Sequence, residues 1–163
     1  MAHPAEEEKT VADTYVVERS MTINASPADL YERISNFRNW AEWSPWEDLD
    51  PDMQQNYHGD DGTVGSGYSW KGNRKAGQGR MRISDLEAPD RVTIDLQFEK
   101  PFKSQSVTEF ALNPDGDGTN VTWKLTGTHN WMSKVMGIFM SMDKTLGKDF
   151  EKGLQNLKSV SES

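Results

Sequence analysis

Cysteine is absent from the 163-residue chain. That absence excludes disulfides, thiol nucleophiles and thiolate-held zinc or iron–sulfur centres. Histidine is scarce, at three residues. No His-x-x-x-His or comparable helical pair occurs, so a metal centre lacks ligands and none is expected. No apolar run approaches the roughly 18 residues of a membrane span. No basic stretch followed by an apolar one marks a secretory leader. Positive charge is also in deficit: 18 Lys and Arg stand against 26 Asp and Glu, a formal net charge of −8. A chain this acidic is repelled by nucleic-acid phosphates and by anionic lipid unless a local basic patch offsets it, and the sequence is read as having no such patch. The expectation is a cytoplasmic protein with no nucleic-acid partner and no membrane insertion. Its length suits one domain with a real core.

Residues 1–13 are small and charged, with Glu6, Glu7 and Glu8 in a row. They bury too little to order themselves and read as a disordered acidic tail. Residues 14–24 are rich in β-branched and aromatic side chains and read as a strand. Ser26-Pro27-Ala28-Asp29 then gives an N-cap, a proline at the first helical position and an acid in the first turn. A second short helix fits Asn36 to Glu42. Strand-like segments follow at 53–58, 67–71, 79–87, 91–99, 103–113 and 119–129, separated by polar turns, as in an antiparallel meander. Alternation is clearest where Val92, Ile94, Leu96 and Phe98 face one way and Thr93, Asp95 and Gln97 the other. One sheet face is therefore buried and one is wet.

The cover for the buried face is the segment 131–158. Met132, Val135, Met136, Phe139, Leu146, Phe150, Leu154 and Leu157 recur at helical spacing and form one apolar stripe. Gly137, Gly147 and Gly153 each cost about 1 kcal/mol against alanine in a helix interior, which points to close packing or a bend. Residues 159–163 read as a frayed end. The fold expected is α+β: a curved antiparallel sheet of about seven strands wrapped on a long C-terminal helix, with two short helices after the first strand. A single domain over 14–158 is expected.

This order, with Val17 to Pro27, Phe37 to Trp46 and Gly118 to Trp123, resembles the helix-grip fold of the START/Bet v 1-like (SRPBCC) superfamily. It is most similar to the bacterial polyketide cyclase/dehydrase-like family. The resemblance spans roughly 14–158. It implies a cavity between sheet and helix that accepts a small hydrophobic or amphipathic molecule. It does not select among the superfamily's lipid carriers, receptors, cyclases and hydroxylase domains.

Motif matches for other chemistries fail. Asn113 to Gly118 opens like an EF-hand loop, but Lys124 stands where the bidentate glutamate belongs. Gly67 to Gly72 has P-loop glycine spacing, but Asn73 replaces the lysine and no helix follows. Gly65-Ser66-Gly67 begins a dinucleotide fingerprint that Trp70 breaks. No cofactor is expected. Trp40, Trp43 and Trp46 fall within seven residues and read either as packing for the short helices or as an aromatic wall at a cavity mouth. Met132, Met136, Met140 and Met142 are core filling or a pliable lid.

Side-chain parity selects the candidate ligand walls: Tyr57, Tyr68, Trp70, Met81, Ile94, Leu96, Phe98, Phe110 and Trp123 from strands, with Met136, Phe139 and Asp143 from the helix. Gln55, Ser104, Ser106 and Thr108 share that parity and supply polar groups. Asp143 interrupts the apolar stripe and is either a group that orients or protonates a ligand, or a stripe-edge residue paired to lysine or solvent. Arg19 shares parity with Met21 and Ile23; pointing inward it needs a carboxylate such as Asp143. His129 precedes the helix, where it either caps or reaches the cavity mouth. Asp143, Arg19 and His129 are thus the catalytic candidates if the family's cyclase or dehydratase chemistry operates, with acid/base handling of an enolisable substrate. The other readings are a hydrophobic-ligand binder and a protein-interaction module, the last requiring an exposed apolar patch.

Overall fold

The computed structural model describes residues 14–100, 103–128 and 136–162, with the side chains of 128 and 136–142 outside the description. The expected acidic tail and His129 lie outside the described residues. The elements are β1 (Thr14–Ile23), α1 (Pro27–Ser35), a 3-10 helix (Phe37–Glu42), β2 (Gln54–His58), β3 (Gly67–Lys71), β4 (Gln78–Glu87), β5 (Arg91–Lys100), β6 (Ser104–Asp115), β7 (Gly118–Thr128) and α2 (Met136–Glu162). Seven strands form one antiparallel sheet in the order β1-β7-β6-β5-β4-β3-β2. After β1 the chain crosses to the far edge, then returns strand by strand until β7 pairs with β1. This is the expected α+β helix-grip arrangement.

Local chemistry sets the element ends. Ser26 Oγ accepts from the Asp29 N–H at 3.2 Å, and Asn36 Oδ1 from the Arg38 N–H at 3.0 Å; each cap satisfies a donor that the first helical turn leaves free. The EF-hand-like segment is the β6–β7 hairpin turn, with Asp115 opposite Gly118. At its C-terminal end α2 runs past the expected boundary, through Glu162, whose Oε2 accepts from the Asn24 N–H at 2.7 Å and from Lys158 Nζ. That carboxylate ties the last turn to the end of β1, so the helix does not stop at Lys158.

The core-facing side of the sheet carries Val17, Ile23, Ile83, Val92, Ile94, Phe110, Leu112, Val121 and Trp123, all buried. Phe150, Leu154 and Leu157 of α2 bury the predicted stripe against it. The contact centres on two rings: Trp123 stacks on Phe150 with centroids 4.2 Å apart and planes 9° apart. Trp40, Trp43 and Trp46 meet Trp123 edge-on, and Phe110 lies beside it at 4.8 Å. Three of the tryptophan N–H groups are satisfied as they enter: Trp40 Nε1 donates to Ile34 O at 2.8 Å, Trp43 Nε1 to Arg33 O at 3.1 Å and Trp46 Nε1 to Asp149 Oδ2 at 3.0 Å, whereas the buried Trp123 Nε1 has no partner among the described residues. The Trp40–Trp46 triplet is therefore packing for the short helices. Gly153 permits the approach of α2, since a Cβ there would sit 2.7 Å from Trp123 Cζ3 and 3.0 Å from Pro45 Cδ.

Two effects oppose each other in Gly153→Ala. Helix propensity favours alanine by about 1 kcal/mol. Overpacking against two rigid rings costs about 1–3 kcal/mol. The clash should win, and urea unfolding should show net destabilisation. Phe150→Ala, which removes one member of the stack, should cost about 3–5 kcal/mol in the same assay.

Candidate functional site

The concave face divides in two. On β6, β7 and the β1 edge it is filled: Phe110 and Trp123 belong to the aromatic cluster, and Ile94 is buried beside them. On β2 to β5 the same face carries Tyr57, Tyr68, Trp70 and Phe98, which stay half-buried although their parity matches the core. Register places them together: Tyr57 opposes Tyr68, Tyr68 opposes Met81, and Met81 opposes Leu96. Tyr68 stacks on Trp70 at 5.9 Å, Trp70 meets Phe98 edge-on at 5.5 Å, and Tyr57 lies 5.2 Å from Tyr68. Gly79, between Trp70 and Phe98 in register, leaves room for the indole. Ser104 and Ser106 oppose Phe98 and Leu96 and are half-buried; Thr108 opposes Ile94 and is buried. The expected walls thus share one face, but Ile94, Phe110 and Trp123 lie in its packed part. Met136 and Phe139 lie outside the described side chains.

One polar group is built into the aromatic wall. Gln55 Nε2 donates to the Tyr68 hydroxyl at 2.9 Å and reaches Glu47 Oε1 at 3.3 Å. Burial, opposed by the Gln55 hydrogen bond and aided by the Glu47 charge, pushes the Tyr68 phenol up to about 12. Tyr57 is raised too, by burial first and then by Glu47. The Arg38 guanidinium covers the Tyr57 ring at 4.4 Å and is ion-paired to Asp61 at 2.9 Å. Parity could reach Gln55 in the sequence. Glu47 and Arg38 come from the connection around the 3-10 helix and carry no periodic signal.

Arg19 faces the helix, with Val17 and Met21, as its parity requires. The guanidinium lies over Gly147, where a Cβ would overlap it. Its Nε bonds Glu151 at 2.9 Å, its Nη2 stands 4.0 Å from Asp143, and its Nη1 donates to Glu18 O at 2.8 Å. Asp143, Gly147 and Glu151 are spaced by four on one face of α2, so the glycine makes a slot and the two acids close it. The predicted Asp143 partner is present, but Glu151 makes the shorter contact. Both partners remain solvent-accessible, with side-chain exposures of 31% for Arg19 and 41% for Asp143. The group straps α2 to β1, at the opposite sheet edge from Tyr57 on β2. Among the described residues no cluster of three or more His, Asp or Glu side chains gathers for a metal.

The seven-stranded antiparallel sheet with its long C-terminal helix defines the class as an α+β helix-grip fold. The family model described as polyketide cyclase / dehydrase and lipid transport matches residues 14–162, and the chain belongs to that family. Its structure is similar to protein CV1439 from Chromobacterium violaceum, with 15% identity, a TM-score of 0.64, and coverage of 93% of this chain and 99% of that one. It is also similar to the Aha1 dimer from Colwellia psychrerythraea (18% identity, TM-score 0.64, 91% and 96% covered). A third similar structure is the major latex-like protein 151 from Panax ginseng (14% identity, TM-score 0.60, 91% and 98% covered). These likenesses establish the fold. Among curated proteins none matches this sequence.

All four tyrosines, Tyr15, Tyr31, Tyr57 and Tyr68, are raised from the usual 10.0, with burial the leading cause in each. The folded protein holds these protons more tightly than the unfolded chain. Their contribution to stability is complete below pH 10 and is lost as pH climbs toward the Tyr68 value of about 12. Phenolate absorbance of the folded protein should therefore appear above pH 10, with Tyr68→Phe deleting the last step. Resistance to urea should fall across the same window.

Proposed function

We propose that this protein binds a small, largely hydrophobic ligand between the sheet and the C-terminal helix, against the concave face of β2 to β5. The observation that carries this reading is the half-burial of Tyr57, Tyr68, Trp70 and Phe98 on the side of the sheet that elsewhere packs solid. Ring faces left partly wet beside a closed core gain free energy when an apolar body covers them. The Gln55 amide occupies the Tyr68 oxygen, which leaves the phenolic proton for an acceptor on the ligand. The phenol carries its proton at neutral pH, and burial raises its pKa further, to about 12. The ligand is therefore an apolar or amphipathic molecule with one carbonyl, ether or hydroxyl oxygen set at the Tyr68 position. Membership of the polyketide cyclase / dehydrase and lipid transport family supports the same class of ligand.

The test uses an uncharged probe, N-phenyl-1-naphthylamine, whose fluorescence rises on leaving water. Saturable binding is expected, weakened about tenfold by Trp70→Ala, which equals about 1.4 kcal/mol. Native mass spectrometry of protein from its own host should show an added mass that denaturation removes. Absence of saturable probe binding together with a clean native mass would refute the reading.

A further inference from the structure

The opposite face of the same strands has a different chemistry. Residues 62–84 contain Lys71, Arg74, Lys75, Arg80 and Arg82 and no Asp or Glu, in a chain whose net charge is −8. The expected lack of a basic patch therefore fails at the β3–β4 hairpin. Ion pairing sharpens the contrast. Arg19, Arg33, Arg38 and Arg91 each meet a carboxylate. The remaining arginines, Arg74, Arg80 and Arg82, have no ion pair among the described residues, and all lie on this hairpin. Arginine beside so many acids is ordinarily neutralised, so cations left unpaired on one element are unbalanced charge.

The fold also makes a hollow there. Asn56, Ser69 and Arg80 are aligned across β2, β3 and β4, and Gln54, Lys71 and Gln78 form the next row. Between Gln78 and Gly79 the pairing with β5 slips, so that Glu99 is an extra residue. Such a bulge bends its strand and increases the local twist. The result is a depression of about 380 Å³ floored by neutral donors and flanked by Lys71 and Arg80, with Glu99 on its lining. Arg80 is oriented from behind, its Nε donating to Gln97 Oε1 at 2.9 Å, which leaves its outer N–H groups for a ligand.

We propose that this hollow binds a phosphoryl oxyanion, with Arg80 and Lys71 as its charged donors and Asn56 as a neutral one, beside the Ser69 hydroxyl, which meets His58 Nε2 at 3.3 Å. A guanidinium fork matches two oxygens of a tetrahedral anion, and the ammonium adds a point charge. Glu99 opposes a bare dianion and so favours a phosphoryl group whose remaining substituent lies on the Glu99 side. Strand alternation turns the side chains of Ser69 and Lys71 away from those of Tyr68 and Trp70, so the charged donors face away from the aromatic wall, although Trp70 and Gly79 also contribute to the lining of the hollow.

The experiment is an NMR titration of the full chain with inorganic phosphate, and with glycerol 3-phosphate, in about 150 mM chloride to suppress diffuse attraction. Saturable shifts centred on Arg80 Nε–Hε, Ser69 and Asn56 are expected. Arg80→Gln and Lys71→Gln should each weaken binding about tenfold, while Lys124→Gln leaves it unchanged. Both variants should bind N-phenyl-1-naphthylamine as the parent does, which separates this site from the concave one. Sedimentation with phosphatidic acid vesicles then distinguishes the sources: co-sedimentation lost in Arg80→Gln identifies a lipid headgroup, and binding of the free esters alone identifies a soluble phosphoryl compound. Absence of saturation with every phosphate source overturns the proposal. Shifts spread equally over all surface lysines, or binding insensitive to Arg80→Gln, overturn it as well.

Discussion

The stack of Trp123 on Phe150 is the contact on which the other features depend. It fixes how close α2 lies to β7, and Gly153 allows that distance by presenting no side chain to the indole. Trp40, Trp43 and Trp46 then close around the stack from the segment after α1, each with its N–H satisfied at the periphery. Aromatic packing of this density excludes water and any ligand from that end of the concave face. On β2 to β5 the rings of Tyr57, Tyr68, Trp70 and Phe98 remain half-buried instead.

That division assigns the chemistry. Phe110 and Trp123 are large apolar residues on the concave face, as are Tyr68 and Trp70, yet only the second pair stays partly accessible. The difference lies in the partners, since β6 and β7 face the tryptophans and the C-terminal half of α2. The ionic strap of Arg19 with Glu151 and Asp143 lies on the pinned side as well. Its energetic weight is modest, because the groups are accessible and screened. Its value is positional: the guanidinium fills the slot over Gly147 and fixes the rotation of α2 against β1.

The fold was legible in the residues because its signals are periodic. Alternation in β5 and β7 and the helical stripe through Leu146, Phe150, Leu154 and Leu157 each declare one buried face, and a meander with a single helix leaves few ways to pair them. Arg19 pointing inward toward Asp143 was legible by the same parity. Glu151 was not, because an acid on an amphipathic helix is ordinarily on its solvated flank, and only the slot at Gly147 turns it into a partner. The separation of packed from open walls was not legible either. Ile94 and Phe98 have identical parity, yet the first is buried and the second half-buried, and what covers them is decided by residues about fifty positions away, in the connection between α1 and β2. Glu47 and Arg38 are invisible for the same reason.

The basic face escaped a reading by total charge because charge on a sheet is sorted by parity and register, not by sequence proximity alone. Lys71, Arg80 and Arg82 reach one face only because β3 and β4 pair as they do and alternate Tyr68, Trp70 and Met81 to the other. Along two rows on that face the neighbours of Lys71 and Arg80 are neutral amides and a hydroxyl, while Glu99 at the bulge and Asp95 opposite Arg82 are its carboxylates. The β2–β4 unit thus presents apolar rings to one side and unpaired cations to the other across the thickness of one backbone. An amphipathic molecule offers the same two chemistries in one body. A ligand or surface that displays both an apolar part and a phosphoryl group would meet complementary faces at one edge of the sheet, where β2 has no further strand to shield it.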